Sequence, residues 1–119
     1  MMQLGTLERS IMQALWEHPE GVFANHLAAM LPTQPATTTV LTVLVRLSHK
    51  GMVARERIGR AHLYKATATK DAFVAEAMHA ALNEAGDLEA AVQRFVGTVT
   101  PQVAAALLEA LGERDGSTP

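Results

Sequence analysis

At 119 residues, with 49% hydrophobic and 18% charged side chains and no low-complexity tract, the chain has the make-up of an ordinary globular protein about one domain long. It has no cysteine, which excludes disulfides, thiolate nucleophiles, iron–sulfur clusters and thiolate zinc sites; no stretch approaches the roughly 20 apolar residues of a membrane span and no basic leader precedes an apolar run, so a cytoplasmic address is expected. The net charge of −2 hides a split: seven Lys/Arg against four acids give residues 1–69 a charge of +3, while three against eight give residues 70–119 a charge of −5, as in a chain whose first part meets a polyanion.

In residues 4–16, Leu4, Leu7, Ile11 and Leu15 recur every three or four positions, the period of a helix with one buried face; Thr6 is its expected N-cap and Pro19 follows its end. Residues 24–31 read as a short second helix closed by Pro32, with Leu27, Met30 and Leu31 turned inward, although Phe23 offers no capping oxygen. Residues 33–36 form a turn around Pro35. Thr37 then opens a third helix that runs to about Lys50 and stops at Gly51. Its buried stripe is Val40, Leu44 and Leu47 with Leu41 and Val43 beside it, and Thr38, Thr42, Arg46 and His49 line another face. From Met52 to Ile58 apolar and charged residues alternate, Gly59-Arg60 marks a turn, and residues 62–66 return as the second strand of a basic hairpin. A short strand near Val22 and Phe23 can complete the sheet.

Three helices and a hairpin in this order predict a winged helix-turn-helix over residues 1–69, and the fold class is mostly α with a small β wing. Residues 70–112 read as a helical dimerisation region and residues 113–119 as a flexible tail. Phe73, Val74, Ala77, Met78 and Leu82 stripe one helix, and Leu88, Val92 and Phe95 a second; the third begins at Thr100-Pro101 and carries Val103, Leu107 and Leu111. Such short stripes make little core alone, so pairing with a second copy, as a C2 homodimer, is expected.

Six of the seven bases in residues 1–69 fall between Arg46 and Lys65, against Glu56 alone. A helix fits the major groove of double-stranded DNA, where threonine and arginine side chains match the donors, acceptors and methyl groups on base edges. The candidate DNA contacts are Thr37, Thr38, Thr39, Thr42, Arg46, His49 and Lys50 on the third helix and Arg55, Arg57 and Arg60 on the hairpin. Two other readings use the same elements: a ligand-sensing winged-helix regulator whose tail encloses an effector, and a winged-helix adaptor that binds protein. One tryptophan, one tyrosine and three phenylalanines leave little to line an effector pocket. No paired carboxylates, phosphate-cradling glycine loop, GxSxG or Ser/His/Asp grouping supports an enzyme. His18, His26, His49, His62 and His79 show neither HxxxH nor HExxH spacing, so neither metal nor cofactor is expected.

The stretch TTTVLTVLVRLSHKGMVARERIGRAHLYKA, residues 37–66, resembles the penicillinase-repressor (BlaI/MecI) family of winged-helix transcriptional regulators. The opening LGTLERSIMQALWE is similar to that family's first helix, and DAFVAEAMHAAL and AAVQRFVGTVTP to its dimerisation helices. The resemblance implies a homodimeric repressor on a palindromic operator, controlling β-lactam resistance or related cell-envelope and respiratory genes until a membrane-bound sensor metalloprotease inactivates it. Carried over by position, Thr38, Thr39, Thr42 and Arg46 are base or phosphate contacts and Arg60 a wing contact. Thr37 stands where an aromatic residue is common and Val45 where a polar one is, departures that bear on operator preference. The family's inactivating cleavage falls before a phenylalanine, commonly after asparagine; the matching bond here is Arg94-Phe95, without the asparagine, and Phe95 also reads as an apolar anchor of the dimer. A sister branch that senses copper through a cysteine-rich carboxyl terminus is excluded by composition.

Overall fold

Helix α1, Thr6–Glu17, opens the computed structural model, which describes residues 4–116. Its cap is Gly5 and not the expected Thr6, because the Glu8 carboxylate reaches back one turn to accept the Gly5 backbone N–H at 3.1 Å and the Gly5 carbonyl accepts the first helical bond. Strand β1 (Val22–Phe23), α2 (Ala24–Met30) and α3 (Thr37–His49) follow, then the hairpin of β2 (Val53–Ile58) and β3 (Ala61–Ala66). The sheet is antiparallel in the order β1-β3-β2, with Val22 opposite Tyr64 and Arg55 opposite Tyr64 from the other side. The three-helix, three-strand order is that of a winged helix-turn-helix.

Apolar residues of all three helices meet in one core. Ile11, Met12 and Leu15 of α1, Leu27 and Ala28 of α2, and Val40, Val43, Leu44 and Leu47 of α3 are buried, with Val22, Leu31, Met52, Val53 and Tyr64 closing the sheet side. Two details differ from the sequence reading. In α2 the packed set is Ala24, Leu27, Ala28 and Leu31, one stripe at i, i+3, i+4 and i+7, so Met30 lies off it and is exposed in spite of its size. Leu41 likewise stands outside the α3 stripe and is exposed.

Backbone geometry fixes both ends of the hairpin. Gly51, at φ +77°, ends α3, its N–H donating to the Ser48 carbonyl, while the Met52 N–H reaches the Leu47 carbonyl at 3.0 Å. Thr67 clamps that turn, its hydroxyl donating to the Gly51 carbonyl at 2.8 Å. Gly21, at φ +101°, lies where a Cβ would stand 2.7 Å from the Leu63 side chain; glycine there permits both the left-handed backbone and the close approach of β3.

Helices α4 (Lys70–Asn83), α5 (Leu88–Thr98) and α6 (Pro101–Gly116) complete the chain, which divides into two compact units between Met78 and His79. The first unit, hereafter the head, therefore keeps the first turns of α4. Phe73, grouped by sequence with the dimerisation residues, packs its ring 5.2 Å from that of Trp16, and the Lys70 ammonium donates to the Gln13 side-chain carbonyl at 2.8 Å. In the second unit, the tail, the Asp87 carboxylate caps α5 by accepting the Ala90 N–H, and Thr100 caps α6 by accepting the Val103 N–H, with Pro101 at the first helical position as the sequence predicts. Helix α6 continues through Gly112 to Gly116, past the residue-112 limit expected for the helical region, since one interior glycine costs a helix only about 1 kcal/mol. Residues 117–119, the end of the expected flexible tail, lie outside the described residues.

Candidate nucleic-acid interface

Helix α3 advances roughly 100° per residue, so its buried residues Val40, Val43, Leu44 and Leu47 span one arc, and Thr38, Thr42, Val45 and His49 fall within roughly 60° on the opposite side. All four of the latter are exposed. Arg46 is exposed too, but it stands on the flank of this face. There it lines an open cleft of about 500 Å³ with Gly5, Thr6, Leu7 and Glu8 from the start of α1 and Thr39, Thr42 and Val43 from α3. Thr37 is half-buried at the first turn of α3, whose N-cap, Ala36, offers no side-chain oxygen, so the early threonines do not cap the helix. The Thr42 hydroxyl donates to the Thr38 carbonyl at 3.0 Å, which commits its proton to the helix and leaves its lone pairs and methyl group outward.

Lys50 has a different setting from the other candidate contacts. Its ammonium lies 2.8 Å from the Glu8 carboxylate, which is only 8% exposed. The hydrogen bond from Lys50, and then that from the Gly5 N–H, hold the Glu8 carboxyl below its ordinary value; burial opposes them, and the charges of Lys50 and Arg46 add to them. One carboxylate thus ties the N-terminus of α1 to the C-terminus of α3 and sets the charge beside Arg46. Sequence reasoning passed over Glu8, though an acid three residues into a helix after glycine is the signal of such a reach-back bond.

On the hairpin the register puts Arg55 and Arg57 on the face that carries Val53 and Tyr64, and Glu56 on the other, where it meets Lys65 at 3.7 Å. Arg57 also braces the turn, its Nε donating to the Gly59 carbonyl at 3.1 Å. Gly59 has φ +62°, as the first residue of a tight two-residue loop, and Arg60 is displayed next to it at the tip. From Thr37 to Arg60 the chain therefore offers Arg46, His49, Arg55, Arg57 and Arg60 at its exposed surface, with Glu56 the single acid in that stretch and already opposite a lysine.

The penicillinase repressor family model matches residues 4–113. The chain belongs to the penicillinase-repressor family. It is 40% identical over 118 residues to the transcriptional regulator BlaI of Mycobacterium tuberculosis, covering 95% of this chain and 86% of that one. Among solved structures, the DNA-binding domain of the repressor BlaI matches with a TM-score of 0.50 and 24% identity, over 57% of this chain and 84% of that one. A MarR-family transcriptional regulator from Rhodococcus matches with a TM-score of 0.53 and 20% identity, over 91% of this chain and 71% of that one. MepR, the regulator of a Staphylococcus aureus multidrug efflux pump, matches with a TM-score of 0.54 and 18% identity, over 98% and 82%. At these identities the solved structures carry the fold alone, a winged helix with helices after it. Among the described residues no helix is long and apolar enough to cross a membrane.

Proposed function

We propose that this penicillinase-repressor family member is a homodimeric transcriptional repressor that acts in the cytoplasm on palindromic operator DNA, one head to each half-site. The observation that carries the reading is the division of α3: Val40, Val43, Leu44 and Leu47 anchor it in the head, and the side diametrically opposite is exposed, carries Thr38, Thr42, His49 and Val45, and is flanked by arginine. Set into the major groove, Thr38, Thr42 and His49 meet base edges, Thr39 and Arg46 reach a base or a phosphate, and the hairpin arginines Arg55, Arg57 and Arg60 grip the neighbouring backbone. Lys50 acts mainly through Glu8, by holding α3 in place.

The exposed apolar side chains of α4, α5 and α6 support the dimer. Val74, Met78 and Leu82 on α4, Leu88, Val92 and Phe95 on α5, and Val103 and Leu111 on α6 are exposed apolar side chains, with Ala77 and Leu107 half-buried beside them. A second copy of the chain is the partner that covers them with least added complexity. Two linked heads then bind with the gain of effective concentration that one head lacks. The partner that switches the repressor off, on the family's pattern, is a membrane sensor metalloprotease. The Arg94-Phe95 bond lies inside α5, so cleavage there requires that helix to unwind first.

The test is fluorescence anisotropy of the full chain on duplexes selected from a random library, between about 50 and 200 mM salt. Phosphate contacts make the affinity fall by orders of magnitude over that range. Arg46→Ala is expected to cost about 1–3 kcal/mol of affinity. Affinity indifferent to salt, or an unchanged midpoint for Arg46→Ala, refutes the assignment and favours a protein-binding adaptor.

A further inference from the structure

We propose that Val45, supported by Leu41 one turn earlier, reads the C5-methyl group of thymine, so that each operator half-site carries a thymine where α3 lies deepest in the groove; this rests on the DNA-binding reading above. Val45 is 49% exposed and Leu41 37% exposed. A lone exposed apolar side chain is ordinary on a protein surface. Val45 is not in an arbitrary place: it shares the face opposite the buried stripe with Thr38, Thr42 and His49, at the edge of that face nearer Leu41, where a groove-bound helix meets base edges.

Its neighbours make a patch of it. Val45 follows Leu41 by four residues and Thr42 by three, the spacings at which helical side chains touch. Because the Thr42 hydroxyl is turned back to the Thr38 carbonyl, its methyl group adds to the same apolar area. The major-groove edge of a duplex presents one apolar group larger than a hydrogen, the thymine methyl; the cytosine C5–H aside, the other features there are hydrogen-bond donors or acceptors that a valine leaves unpaired. An apolar protein partner is disfavoured by the surround, since residues 37–50 hold no acid and place Arg46 and His49 beside the patch, a setting complementary to a polyanion.

The experiment takes the best duplex selected from a random library by the full chain and replaces each thymine in turn by deoxyuridine, which removes the methyl group and keeps the Watson–Crick pairing. One thymine per half-site is expected to lose about fourfold in affinity, the equivalent of one buried methylene. Val45→Ala, a change at an exposed helical site, is expected to abolish the uracil-to-thymine difference at that position and to leave it unaltered at other positions. Wild-type affinity that tolerates uracil everywhere, with its steep salt dependence intact, overturns the thymine assignment and leaves DNA binding standing; so does an undiminished uracil effect in Val45→Ala. If no duplex is enriched, or binding ignores salt, the DNA-binding reading and this inference fall together.

Discussion

Helices α1 and α5 carry the same kind of apolar stripe and meet different fates. In the head, Ile11 and Leu15 of α1 are fully buried between α2, α3 and the sheet. In the tail, Leu88, Val92 and Phe95 of α5 remain 40 to 55% exposed, and no described residue beyond Tyr64 is buried. The stripe alone does not make a core. A helix buries its face only where other layers close over it; the head supplies them from its own chain, and the tail leaves its stripe exposed, which is why a second copy is proposed to cover it.

The contrast breaks most visibly at Leu44. Leu44→Ala empties a fully buried site and is expected to destabilise the head by about 2–5 kcal/mol, read by urea denaturation. If the loss is well under 1 kcal/mol, the head is not the more tightly packed of the two units. Phe95→Asp comes next and strikes the other half. Sedimentation equilibrium is expected to show the proposed dimer weakened at least about 30-fold, about 2 kcal/mol, as for an interface anchor, while the head of the full-length variant keeps its fold, read by near-ultraviolet circular dichroism of Trp16 and Tyr64. A variant as dimeric as the parent removes Phe95 from the interface.

Gly21→Ala probes the head's tightest approach. It forces a Cβ against Leu63 at a positive φ and is expected to cost more than about 1 kcal/mol by thermal unfolding; Gly59→Ala, with open space around it, should cost less. Glu8→Gln tests the tie between α1 and α3. Because the folded Glu8 carboxyl titrates below its ordinary value of 4.5, its contribution is present above that pH and lost as the pH falls through the folded value. Wild-type stability should therefore fall on acidification, and Glu8→Gln should be weaker at pH 7 with part of that fall missing. Parallel pH curves for the two proteins contradict the tie. The smallest effect is expected at Gly97, on the side of α5 away from its apolar stripe, where a Cβ would meet nothing within 4 Å. Gly97→Ala should stabilise the tail by about 0.5–1 kcal/mol in thermal unfolding of the full chain; a loss would mean that something, such as the proposed second copy, covers that side too.

Much of the head is legible in the sequence because its signals are local and redundant. Val40, Leu44 and Leu47 repeat at helical spacing, Gly51 stops α3, and Gly59-Arg60 turns the hairpin, so that backbone preference and apolar period agree. Where they offer a choice, sequence is a weaker guide. Size argues for Met30 inward, but α2 is only seven residues long, and a small rotation decides in favour of Ala28. Thr6 has the chemistry of a cap and loses the position to Gly5, through a bond from Glu8 that pairs with Lys50, 42 residues away.

The sequence by itself determined the element order, the stripe that anchors α3, and the local concentration of positive charge, since each depends on neighbours within a turn or a hairpin. Only the tertiary structure decided that Lys50 is bound to a buried carboxylate and that Phe73 rests on Trp16. Those outcomes depend on contacts between residues distant in the chain, and helical period has no term for what another element brings to a face.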